Sequence, residues 1–122
     1  MRCVAVIALA GLMVGCSRSG KGDYTIPGLV KTLKKDKDPN MRYWAAESLG
    51  HYQHEAKSAV PALAEALKDE DKNVRMGAAY ALAEIGAEAG EAVPALQEAM
   101  RDSEKQVRDA AEYALKRIRR RP

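Results

Sequence analysis

The sequence has no Phe, a single Trp and five Tyr, so aromatics are only 5% of its 122 residues. A core left mainly to Ala and Leu suits closely packed helices better than a broad sheet. Cysteine is equally scarce: Cys3 and Cys16 are the only two, and nothing after Cys16 can form an internal disulfide. The folded part must therefore be held by packing. Ser/His/Asp sets, phosphate loops and metal-ligand cysteine clusters are missing too. On this reading no residue is catalytic, no metal or cofactor is expected, and the chain is not an enzyme. The formal charge of +3 favours no class of partner by itself.

What is present begins with an apolar leader. After Met1 and Arg2, residues 3–15 carry no charge. That length fits a signal-peptide core and falls short of the roughly 20 residues of a membrane-spanning helix. Residues 16–25 follow as a polar, Gly/Ser-rich linker, and residues 26–122 form the body. The run Leu12-Met13-Val14-Gly15-Cys16 resembles the lipobox of bacterial lipoproteins, with Met13 departing from the usual residue at its position. The resemblance implies lipidation of Cys16, export, and anchoring to a bacterial membrane. Ser17, where an Asp would favour the inner membrane, implies the periplasmic side of the outer membrane. A plain secretory signal and a cytoplasmic adaptor with a misleading leader are the alternatives.

The body repeats. Arg42, Arg75 and Arg108 recur every 33 residues, as do Ala45, Ala78 and Ala111, and Leu49, Leu82 and Leu115. Pro27, Pro61 and Pro94 are spaced by 34 and 33, which places one extra residue in the first intra-repeat loop. Each copy reads as two helices. The first opens on Pro and carries Leu29, Val30 and Leu33, or Leu63, Ala66 and Leu67, or Leu96, Ala99 and Met100. The second, capped by Asp38 or Asp71, turns Met41, Ala45, Leu49 and Tyr52 inward, or Val74, Ala78, Leu82 and Ile85. The predicted fold is all-α: a solenoid of three helical hairpins, about six helices, with repeats near 26–56, 57–89 and 90–120.

The V-P-x-L openings and the D-x-x-V-R-x-x-A-x-x-A-L second-helix starts resemble the HEAT repeat, in the short form of phycobilin-lyase-like proteins. That resemblance implies a protein-interaction scaffold, or else an accessory subunit of an enzyme. It also implies that Arg42, Arg75 and Arg108 form a structural ladder with the acidic residues of the turns, for which Asp38, Asp71 and Glu104 are the expected partners.

In HEAT arrays the second helices line the binding side. Opposite their apolar stripe stand Tyr43, Glu47 and His51, then Met76, Tyr80 and Glu84, then Asp109, Tyr113 and Arg117. Tyr43, Glu47, Met76, Tyr80 and Tyr113 are the candidate contacts for another protein. Trp44, aligned with Gly77 and Ala110, is expected to fill a gap at the first repeat's end. His51 and His54 with Glu55 read as solvated residues at a helix end rather than a metal site. The basic run from Lys116 to Arg121 suits a helix's last turn, and nucleic acid is not an expected partner. With only three repeats and no extra capping helix, a solenoid end is expected to be covered by a partner or by self-association.

Overall fold

The computed structural model describes residues 23–120; the leader and Cys16 lie outside the described residues. Among those residues there are six α-helices and no strand. They are α1 (Ile26–Lys35), α2 (Pro39–His51), α3 (Val60–Ala66), α4 (Lys72–Ile85), α5 (Val93–Ala99) and α6 (Lys105–Arg119). Between hairpins the chain does not loop freely. It winds through two 3₁₀ segments, Gln53–Ala59 and Gly86–Ala92. Ala56, Ala59, Ala89 and Ala92 in those segments are fully buried, so small side chains let the tight turns lie against the helices.

Local chemistry sets each boundary. Thr25 caps α1 by accepting from the Gly28 N–H, and Asp38 and Asp71 cap α2 and α4 as the sequence suggests. Glu104 stands at the matching position of α6 but makes no side-chain cap. The extra residue of the first repeat sits at the end of α1. There Asp36 N–H bonds to the Thr32 carbonyl four residues back, in α-helical winding. The ends of α3 and α5 tighten instead into i→i−3 bonds, such as Lys68 to Glu65 and Arg101 to Glu98. A 3₁₀ turn holds fewer residues than an α turn, so the change of winding absorbs the difference.

The core runs the length of the stack. Leu29, Leu49, Leu63, Leu82 and Leu96 are fully buried with Val60, Val74 and Val107. Two expected core residues are not there: Met41 and Met100 are each 40% exposed. Leu33 and Leu67, the equivalents of Met100, border Ala62 and Ala66, or Ala95 and Ala99, on the next hairpin. No described hairpin follows Met100. Met41 is its counterpart at the other end, where the equivalent Val74 and Val107 are buried behind earlier repeats.

The arginine ladder exists with different partners. Arg42 donates from Nε and Nη2 to both carboxylate oxygens of Asp69, at 2.9 and 3.0 Å. Arg75 does the same to Asp102, at 2.8 and 3.1 Å. Asp38 and Asp71 are not the acceptors; Oδ1 of each takes the N–H groups that start α2 or α4. The partner series is Asp36, Asp69 and Asp102, again 33 apart. Each of these accepts the N–H two residues on, and each offers its carbonyl to the arginine six residues on. Arg108 therefore has a backbone carbonyl but no carboxylate across a repeat boundary among the described residues.

Burial alone would push the Asp102 carboxyl up. The Arg75 hydrogen bond, the Glu104 N–H and the charges of Arg75 and Arg108 outweigh it and hold the group below the usual carboxylate range. A carboxyl lowered in the folded state stabilises fully above its unfolded value near pH 4 and loses that contribution as pH falls through the folded value. Acid titration followed by circular dichroism should show Asp102→Asn losing less stability between about pH 4 and pH 2 than the parent chain does.

The outward stripes of the described second helices differ in character. On α2 the stripe facing the next hairpin is Tyr43, Ala46 and Gly50; on α4 it is Met76, Ala79 and Ala83. A Cβ on Gly50 would come within 2.9 Å of Ala81 Cα, and one on Gly77 within 2.7 Å of the Tyr43 ring, so these helices touch closely. On α6 the same stripe is Asp109, Glu112 and Lys116, all exposed and tied by ion pairs to Lys105 and to each other. At the opposite end Tyr24 packs edge-on against Trp44 at 5.5 Å, and the Tyr52 hydroxyl donates to the Tyr24 carbonyl. Trp44 fills the terminal gap as expected. Among the described residues the outer stripe of α6 is charged rather than apolar, as in the capping repeat of a solenoid.

Gly86 caps α4 at φ 75° and ψ −142°, a region essentially closed to residues with a Cβ. Nothing lies within 4 Å of where that Cβ would be, so only the backbone would object. Gly86→Ala should cost about 1–3 kcal/mol in urea denaturation, with an unchanged far-ultraviolet spectrum.

Candidate functional site

The second helices lie side by side and bring the predicted face together. Tyr80 and Tyr113 are 43% and 45% exposed, with ring centroids 5.8 Å apart. The Arg117 guanidinium lies 5.8 Å from the centre of the Tyr113 ring, within cation–π range. His51 Nδ1 is 3.8 Å from Glu84, an ion pair when the imidazole is protonated. Tyr43, Glu47, His51, Tyr80 and Glu84 surround a cavity of about 170 Å³ floored by Gly77 and Ala81.

Two of the five candidates have a second job. Tyr43 is half-buried with its ring against Gly77, and Met76 is half-buried against the core. Both help to join one hairpin to the next. Burial first, and then the negative charge of Glu47, push the Tyr43 phenol above its ordinary value, so it stays a neutral hydrogen-bond donor at physiological pH. Glu47, Tyr80 and Tyr113 stand free of the core on the outer face.

The structure separates other residues that the sequence placed close. His54 is exposed in the first 3₁₀ segment, while His51 ends α2 and faces Glu84. Among the described residues no three His, Cys, Asp or Glu side chains are grouped to hold a metal ion. No described helix is long and apolar enough to cross a membrane. The basic run ends α6, with Lys116, Arg117 and Arg119 in its last turn.

Sequence reasoning missed the asymmetry of the boundaries. Besides the two arginine pairs, Lys57 meets Glu88, Lys68 meets Glu98 and Lys72 meets Glu104, at 3.5 to 3.8 Å. In Lys68–Glu98 and Lys72–Glu104 the cation belongs to the second repeat and the anion to the third, whereas Lys57 and Glu88 join the two 3₁₀ segments. These exposed pairs add little stability. The 33-residue recurrence of Asp36, Asp69 and Asp102 was the readable signal.

Comparison with known proteins agrees with the geometry. The family of HEAT repeats matches residues 26–116. Among solved structures, human deoxyhypusine hydroxylase in complex with glycerol is similar, with 35% sequence identity and a TM-score of 0.67. The likeness covers 80% of this chain and 33% of that protein, so the chain spans about a third of its length. No curated protein matches the chain. The human protein is an enzyme, and its likeness to this chain overturns the expectation that the chain is not one. That expectation rested on finding no familiar catalytic motif, which a helical repeat carrying scattered site residues would not display.

Proposed function

The chain belongs to the HEAT-repeat family, and on that premise we propose that it is a protein-interaction scaffold whose second helices present the binding face. The observation carrying this reading is the paired, exposed Tyr80 and Tyr113, flanked by the cavity beside Glu47 and Glu84. Large aromatic side chains left in solvent next to a concavity are typical anchors for a partner. The leader adds a location to the proposal. Lipid on Cys16 would tether the scaffold at a bacterial envelope, with the outer membrane suggested by Ser17. Mass spectrometry of the mature protein tests this part: an intact Met1 terminus without lipid on Cys16 would reject it. A pull-down from envelope extract, repeated with the double variant Tyr80→Ala/Tyr113→Ala, tests the face. The parent should capture at least one protein that the variant loses, and equal capture would reject the assignment.

A second reading follows from the 35% identity to the human hydroxylase: the chain works as an enzyme or as part of one. An assay for hydroxylation of a deoxyhypusine-containing protein, with and without this chain, addresses it. Turnover that depends on the chain would support it.

A further inference from the structure

We propose that the cavity between α2 and α4 receives one cationic side chain, lysine or arginine, from an extended segment of the partner. The proposal rests on the scaffold reading and names the chemistry its face would recognise.

Size comes first. At about 170 Å³ the cavity is well below the roughly 300–1,000 Å³ that encloses a small-molecule ligand, and suits a single long side chain. Its walls are chosen for a cation. The rings of Tyr43 and Tyr80 line it, aromatic groups of the kind that attract cations, and two carboxylates stand beside them. Glu47 makes no ion pair or hydrogen bond among the described residues, and Glu84 has only His51, at 3.8 Å. The other acids of the second helices, Asp109 and Glu112, are already matched by Lys105 and Lys116. The unmatched negative charge on the described helices' binding face is therefore concentrated where the aromatic walls are.

The third repeat reverses the sign. The position held by His51 in α2 and Glu84 in α4 is Arg117 in α6, and the position held by Glu47 becomes Tyr80 and Tyr113. Read across the stack, the face goes from acidic to basic. Neighbouring helix axes lie roughly 8–10 Å apart. An extended peptide advances about 3.3 Å per residue. From the cavity between α2 and α4 to Arg117 on α6 is about one and a half spacings, so a crossing segment with a cation in the cavity would bring roughly its fourth or fifth following residue, or preceding one, to Arg117. An acidic residue there would complete the match.

Binding of blocked, fluorescein-labelled peptides to the full chain, measured by anisotropy, tests the idea. The peptides place Lys about four or five residues before or after Glu, with Arg or norleucine at the Lys position in parallel sets. Lys or Arg peptides should bind at least tenfold more tightly than norleucine peptides. Glu47→Gln/Glu84→Gln should remove that preference, and Arg117→Gln should weaken only peptides that carry the Glu. Both glutamates are exposed, and circular dichroism of the variant checks that it folds. Equal binding of norleucine peptides, unchanged binding in the double glutamine variant, or no binding by any peptide would overturn the proposal. A partner captured in the pull-down through Tyr80 and Tyr113, yet indifferent to Glu47→Gln/Glu84→Gln, would refute the cation site and leave the scaffold standing.

Discussion

Asp69→Ala should destabilise the chain by about 3 kcal/mol, lowering its melting temperature by on the order of 10–20 °C, while Asp36→Ala should cost about 1 kcal/mol or less. The two aspartates hold the same place in consecutive repeats. Each takes the N–H two residues on, at 2.9 Å in both cases. Only Asp69 also accepts both prongs of an arginine from the preceding repeat. Arg42 and Asp69 leave 9% and 13% of their side chains exposed, so removing the acid strands a largely desolvated guanidinium. The difference between the two variants isolates the pair across the boundary from the turn. Arg108→Ala, lacking a carboxylate partner, should likewise cost less than Arg75→Ala. Thermal unfolding of the four variants measures all of this, and equal losses for Asp36→Ala and Asp69→Ala would remove the ladder from the account of stability.

Ala83→Lys should cost about 3 kcal/mol or more, whereas Lys116→Ala should change stability by less than about 0.5 kcal/mol. These residues, too, share a position. Ala83 has no exposed surface, and Gly50 before it has room for nothing larger than hydrogen against Ala81. A lysine at 83 would have to carry its charge out of the α4–α6 contact or force the helices apart. At 116 the same side chain stands in solvent and pairs with Glu112 at 3.3 Å. Chemical denaturation of both variants decides the matter. Small loss in Ala83→Lys would mean that the contact between α4 and α6 is looser than its geometry indicates.

Much of this could be read from residues alone, and the reasons are local. The caps at Asp38 and Asp71 depend on neighbours two or three residues away, so spacing finds them. Leu49, Leu82 and Leu115 recur with the period of the fold, so alignment of the chain with itself finds them. The Tyr80–Tyr113 contact follows from the same period, because equivalent positions on adjacent second helices lie side by side. The ladder's true acids were not found, although their spacing is as regular. Proximity in sequence pointed Arg42 to Asp38, four residues before it, and nothing in a linear motif shows which acid of the next repeat lies against it. Met41 and Met100 were placed inside because a repeat pattern treats all copies alike, whereas burial at the ends depends on whether a neighbour exists. The charged stripe of α6 was visible as Asp109, Glu112 and Lys116 but had no meaning until Ala79 and Ala83 were seen at the buried equivalents.

The change of winding at the end of the first helices gives the chain a slip joint. An added residue there is taken up by the pitch of one turn, and Asp36 still arrives where Asp69 and Asp102 do in their own repeats. Length can vary at Lys35, Lys68 or Arg101 without rotating the second helices that follow. The hairpins can thus drift in size on one side of the molecule while the surface offered to a partner keeps its spacing.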